Sequence, residues 1–262
     1  MFRVATAGDR GGHALLVQNP SYRQPRHRQT LALCNRTDCI DESGALLAVR
    51  AGEQPLVEPG FRPVGPRLNN IDAPLGVTAL DVVGDVTVGS DGIVMTAPSR
   101  TGWFIDPTSG NATRTAPALV TSAPEGDFTL QARLHADTRE RFDAGALFVH
   151  GDDHNWAKLC LERSPEGELM VVSVVTHGTS DDCNSEVVGA IAWLRVARVD
   201  QAFAFHWSAD GRRWRFVRLF RLPVGRVRIG FIAQSPIGEG STATFEQVAL
   251  AERRLVDLRD GS

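Results

Sequence analysis

Residues 142–185 read FDAGALFVHGDDHNWAKLCLERSPEGELMVVSVVTHGTSDDCNS, and their punctuation decides the fold. Two short strands flank the polar tip Gly151-Asp152-Asp153-His154-Asn155, a hairpin signal. A second turn, Ser164-Pro165-Glu166-Gly167, leads into the apolar run Leu169 to Val175, and the polar stretch Ser180 to Ser185 reads as a loop closing the unit. Within Trp156 to Glu162, period two separates two faces of one strand. Ala157, Leu159 and Leu161 make an apolar face, which needs a second layer to cover it. Trp156, Lys158, Cys160 and Glu162 make the other, a mixture unlike an ordinary solvated surface.

The same grammar continues outward. Phe128 to His135 alternates, with Phe128, Leu130, Ala132 and Leu134 on one side. Val82 to Val88 and Ile93 to Thr96 read as a hairpin about Asp91-Gly92. Thr101 to Ile105 is a short apolar strand, and the Pro/Ser/Gly-rich stretch 106–117 a loop. Further strands are expected at 191–199, 202–208, 214–218, 227–233 and 242–250. Strands recurring about every ten residues, with no sustained helical period, point to an antiparallel sandwich or barrel. Ser208-Ala209-Asp210-Gly211-Arg212-Arg213-Trp214 is close to an Asp-box hairpin, lacking one residue before the glycine, and reads as a folding device.

Several of these stretches, WAKLCLERSPEGELMVVSVVTHGTSDDCNS above all, resemble the domain-of-unknown-function family 1349, also named after "regulation of enolase protein 1". The resemblance runs from about Asn69 to about Leu250 and takes in Trp103-Phe104, WLRVAR at 193–198, FHWSADGRRWRFVR at 205–218 and AQSPIGEG at 233–240. It implies an all-β fold, a concanavalin A-like antiparallel β-sandwich (jelly roll), and attaches no reaction. The domain organisation expected is an N-terminal extension (1–68), a sandwich (69–252) and a short C-terminal tail (253–262).

Composition bounds the function. The chain has 262 residues, 42% hydrophobic and 23% charged, as in ordinary globular proteins. A net charge of −3 argues against a nucleic-acid partner, for which a basic face is expected. No run approaches a membrane span. Ala14 to Val17 is too short for a secretory leader, so a cytoplasmic location and reduced thiols are expected. Of 28 basic residues 27 are arginines; the one lysine, Lys158, stands in the central strand. Residues 1–68 hold nine arginines against six acids and three aromatics, while all five tryptophans lie beyond them, so 1–68 is expected to be disordered or weakly ordered.

If the 151–155 tip joins its strands in simple register, His150 opposes Trp156, Phe148 opposes Lys158, Ala146 faces Cys160 and Ala144 faces Glu162. One sheet face then carries Phe148, His150, Trp156, Lys158, Cys160 and Glu162. Arg195, which shares a parity with Trp193, and His206, which shares one with Ser208, are candidates to extend it. An aromatic beside charged and hydrogen-bonding groups suits a glycan or sugar-like small molecule, whose C–H faces stack while its hydroxyls take directional bonds. The alternative is structural: a Lys158–Glu162 ion pair on a half-exposed sheet, with Trp156 packed under a loop. A protein-interaction or metabolic regulatory role is the other class of use for such a face.

Catalysis is not the expectation. Glycoside hydrolysis needs two carboxyls about 5–5.5 Å or 6.5–9.5 Å apart, and Glu162 is the one carboxylate assigned to the face. Cys160 near His150 or His206 is the other catalytic route, against the commoner buried cysteine that behaves as a small hydrophobe. No cofactor or metal is expected. The Ser180–Ser185 stretch lacks EF-hand spacing, Cys34 and Cys39 lack a second ligand pair, and Gly238-Glu239-Gly240 lacks a strand–loop–helix setting.

Overall fold

Alternating side chains along every strand sort the sandwich into layers. The computed structural model describes residues 84–262 in full and, of the preceding chain, the backbone of 13–17, 30–35, 38–40, 46–47 and 78–80. Those earlier segments are β1 (His13–Val17), β2 (Thr30–Asn35), β3 (Asp38–Ile40), β4 (Leu46–Leu47) and β5 (Thr78–Leu80); the first four form an antiparallel sheet in chain order. The expectation for 1–68 otherwise falls outside the described residues, as do Val82 and Val83 of the first hairpin.

The remaining strands are β6 (Asp85–Val88), β7 (Gly92–Pro98), β8 (Trp103–Ile105), β9 (Ala112–Arg114), β10 (Ala118–Ser122), β11 (Phe128–Asp137) and β12 (Ala144–Asp152). They continue as β13 (Asn155–Arg163), β14 (Leu169–His177), β15 (Thr179–Val187), β16 (Ile191–Val199), β17 (Ala202–Ser208), β18 (Arg215–Phe220), β19 (Arg228–Gln234) and β20 (Gly240–Ala251). One seven-stranded sheet runs β15-β14-β13-β12-β19-β10-β5, the other β18-β17-β16-β11-β20-β7-β6, all pairings antiparallel. The fold is therefore an all-β, concanavalin A-like sandwich. Among the described residues no helix is long and apolar enough to cross a membrane.

Leu147, Val149, Ala157, Leu159, Leu161, Val171 and Phe231 of the first sheet meet Phe128, Leu134, Leu194, Phe205 and Phe245 of the second in the principal core. Gly145 lets the layers close here: a Cβ on it would lie 2.7 Å from Ala243 Cβ and 2.8 Å from Leu134 Cδ1.

Two loop expectations are corrected. Residues 180–185 are not a loop but part of β15, which pairs with β14 from His177↔Thr179 to Met170↔Val187. Their polar sequence reflects an edge position, where an unpaired flank is guarded by polar side chains. Arg215–Glu186 and Arg218–Asp181, at 2.7 and 2.8 Å, stitch this edge to β18 of the other sheet. The 106–117 stretch holds β9, which pairs with β8.

The near-Asp-box is a hairpin between β17 and β18: Asp210 accepts from the Arg212 and Arg213 N–H groups, and Ser208 Oγ accepts from Gly211 N–H. The C-terminal segment packs on the sandwich. Leu255 is buried with Ala197 and Val199 on the outer side of the second sheet, and Leu258 packs against them.

Candidate ligand-binding face

The register read from the hairpin is the register of the fold: Ala144↔Glu162, Ala146↔Cys160, Phe148↔Lys158 and His150↔Trp156. Because Ala157, Leu159 and Leu161 turn inward to the core, these partners share the outer face of the first sheet. Strand β19 completes the floor from the other side of β12, setting Gln234 opposite Ala144 and Arg228 opposite His150. The alanines at 144 and 146 leave room above them for the longer side chains on either flank.

This face is covered rather than open. Trp103 of β8 packs against Phe148, His150 and Trp156 with ring centroids 4.9, 5.6 and 5.7 Å away. With Ile105 and Ala116 it builds a second apolar cluster that includes Phe148, Trp156, Cys160, Val172 and Val174. Two hydrogen bonds fix the cover: Trp103 Nε1–H to Ala116 O at 2.9 Å and Ile105 N–H to Ser180 Oγ at 2.9 Å. Each aromatic pair contributes about 0.5–1.5 kcal/mol beyond the area it buries.

Polar groups sit inside this apolar cover. Lys158 is 2% exposed, and its Nζ donates to Gln234 Oε1 at 2.6 Å. The same amide donates from Nε2 to Phe142 O at 2.9 Å and lies 3.5 Å from Glu162 Oε2. The direct Lys158–Glu162 ion pair does not form, because Gln234 stands between the two groups. Burial raises the Glu162 carboxyl from 4.5 to about 7, with Lys158 opposing and Asp182 reinforcing the shift. Trp156 Nε1–H is buried and has no acceptor among the described residues.

At the far end His150 is 3% exposed and accepts at Nδ1 from Arg228 Nη2, 3.1 Å away. A guanidinium cannot accept, so the ring proton resides on Nε2. Burial, then the Arg228 charge, lowers this imidazole to about 4 and keeps it neutral. A shallow depression of about 490 Å³ opens beside it, lined by His150, Arg228 and the 151–155 tip.

Arg195 and His206 do not extend the face. They pair with each other on β16 and β17 of the other sheet, on its outer side, so the core separates them from Lys158. Arg195 Nη1 donates to Gly261 O and His206 Nε2–H to Leu258 O of the C-terminal segment, both at 2.6 Å, while Arg195 Nε and Nη2 donate to Gln131 Oε1 on β11 at 3.1 and 2.8 Å. The Arg195 guanidinium lies 3.6 Å from the centre of the Trp214 ring. Parity assigns a side of a strand, but not the sheet that contains the strand.

The cysteine route to catalysis loses its geometry for the same reason. Cys160 lies between Ala146 and Val172, with Lys158 between its row and that of His150. Burial pushes its thiol up to about 12, far from a nucleophilic thiolate. Cys183 pairs with Ser173, on the opposite parity from Val172 opposite Cys160, so the two thiols project from opposite faces. Both are free.

Sequence reasoning missed Trp103, Gln234, Arg228 and Asp182 as members of this face. Asp182 pairs with Val174, which pairs with Lys158, so its side chain is on the same outer side. Strand alternation marks its parity once 180–185 is known to be a strand; nothing local marks Gln234. Among the described residues no group of three or more His, Cys, Asp or Glu is placed to hold a metal ion.

A family described as "Protein of unknown function (DUF1349)" matches residues 85–253. A functionally unknown protein from Saccharomyces cerevisiae is similar at 25% identity and TM-score 0.63, over 68% of this chain and 97% of that one. The GH43 protein BlXynB from Bacillus licheniformis is similar at 12% identity and TM-score 0.56, over 96% of this chain and 56% of that one. A xylan beta-1,4-xylosidase from Bacillus Halodurans C-125 follows at 11% identity and TM-score 0.56, over 95% and 64% respectively. The likeness to these two much longer chains is one of fold. No curated protein matches the sequence.

Proposed function

The chain belongs to the DUF1349 family, and from that premise we propose that it is a non-catalytic binding module for a carbohydrate or other small polar ligand. The site is the Glu162 end of the outer face of the first sheet, where Glu162 is half-buried; Phe148, His150, Trp156, Lys158 and Gln234 lie beneath the Trp103 cover, which must open for a ligand to reach them. One observation carries the reading: a lysine ammonium buried beneath the second apolar cluster, hydrogen-bonded to a neutral amide, with Glu162 acting on it only across that amide. Burying a charge without a direct ion pair costs several kcal/mol, and natural folds keep such groups where they act. The unpaired Trp156 N–H is a second donor at the same place. Donors at Lys158 and Trp156, a carboxyl at Glu162 and an amide at Gln234 together match a polyhydroxylated molecule, which both donates and accepts.

The test is titration calorimetry of the purified protein against a panel of neutral oligosaccharides and sugar-like metabolites. Lys158→Met and Glu162→Gln should each weaken binding by about 1–3 kcal/mol, the loss of one charge-assisted hydrogen bond. Binding that survives both substitutions, or a panel with no binder, overturns the proposal.

A second reading, hydrolysis, rests on one feature, a second carboxylate on the same outer face: Asp182, in the row of Lys158 and two strands from it. Glu162, protonated near neutrality, has the state of a general acid, and Asp182 would be the partner carboxylate. Product analysis after prolonged incubation with the same oligosaccharides separates the readings. Cleavage lost in both Glu162→Gln and Asp182→Asn would favour hydrolysis over binding alone.

A further inference from the structure

Phe142 stands at the Gln234–Glu162 end of the face in a backbone conformation that bulky side chains rarely adopt, with φ 68°. It is the one aromatic among the four described non-glycine residues with positive φ. Its neighbours hold it there. The Phe142 N–H donates to Arg163 O at 2.7 Å, and its carbonyl accepts from Gln234 Nε2 at 2.9 Å. The next residue, Asp143, is fully buried and accepts from the Arg139 and Glu140 N–H groups and from Ser235 Oγ–H.

The Asp143–Ser235 bond thus ties the 138–143 loop to the 235–239 loop, and each loop presents an apolar side chain to solvent. Phe142 is 36% exposed and Ile237 43%. The positive φ is unfavourable for a bulky side chain, and Phe142 belongs to none of the apolar clusters of the described residues, so core packing does not account for it. The carbonyl of this same residue anchors the amide that serves Lys158 and Glu162, so the ring begins within one residue of the polar end of the face.

Building on the binding reading above, we infer that Phe142 is the stacking platform of that site. A saccharide ring lies with its apolar C–H face on the phenyl ring and its hydroxyls toward Glu162. Arg141 lies over one side of the phenyl ring, 5.9 Å from its centre, and the sugar takes the other. The ligand class is a neutral pyranose of an oligosaccharide, whose apolar C–H face suits a part-exposed phenyl ring.

The experiment is calorimetry with cellohexaose, xylohexaose and mannohexaose on the full chain and on Phe142→Ala, Phe142→Gly, Phe142→Trp and Lys158→Met. Phe142→Ala keeps the backbone carbonyl that holds Gln234 and should weaken binding about tenfold, while Phe142→Trp retains it. Phe142→Gly relieves the positive φ, so its melting temperature should hold or rise while affinity falls, which separates a binding role from a packing one. Affinity unchanged in Phe142→Ala but lost in Lys158→Met overturns the platform and leaves the binding face standing. If no hexasaccharide binds the unaltered chain, the platform falls; the binding face falls with it only if no sugar-like metabolite of the wider panel binds either.

Discussion

The Lys158 ammonium donates to the Gln234 amide oxygen at 2.6 Å, and Lys158 forms no ion pair among the described residues. A buried cation held by a neutral amide is a poor way to stabilise a sheet. Replacing buried charges with apolar groups of similar volume is often neutral or stabilising by about 1–4 kcal/mol. Lys158→Met is therefore expected to leave the melting temperature unchanged or raise it. A drop of several degrees would show that the ammonium supports the fold instead.

Glu162 and His150 make opposite contributions to stability with pH. Glu162 titrates at about 7 in the fold against 4.5 unfolded, so the native state binds the extra proton and stability falls as pH rises through that window. His150 titrates at about 4 against 6.5, so the unfolded state binds the extra proton and stability falls as pH drops from 6.5 toward 4. Between 4.5 and 6.5 the two largely cancel. Denaturant titrations of Glu162→Gln should uncover stability that rises with pH across this range. His150→Gln should uncover the reverse slope, and equal profiles for all three proteins would refute the assignment.

The two described cysteines differ in reactivity. Cys183 is exposed, whereas Cys160 is buried with its thiol near 12. Iodoacetamide at neutral pH, followed by peptide mass mapping, should modify Cys183 in the native protein and Cys160 only after denaturation. Rapid native labelling of Cys160 would mean that the Trp103 cover opens readily.

The two ends of the chain should behave differently on removal. Deleting 255–262 withdraws Leu255, Leu258 and the carbonyls that receive Arg195 and His206, so a clear fall in melting temperature is expected. Deleting 1–68 keeps β5 and both large sheets and is expected to leave the sandwich folded. Thermal melts of the two truncations check both outcomes, and an insoluble 69–262 chain would place part of 1–68 in the core.

Local sequence by itself determined the alternation, a hairpin turn within 151–155 (the strands run on to leave Asp153 and His154 as the turn) and the cross-strand register that sets Phe148 against Lys158 and His150 against Trp156. These are short-range consequences of a two-residue period and a short turn, and they need no knowledge of distant strands. Only the tertiary structure decided that β19 lies beside β12, bringing Gln234 between Lys158 and Glu162, and that β8 closes over Trp156. It likewise decided that Arg195 and His206 belong to the opposite sheet and face the C-terminal segment. Neighbours across a sandwich are separated by long stretches of chain. Which sheet a strand joins follows from how all the apolar faces are buried at once, and no single strand's pattern encodes that choice.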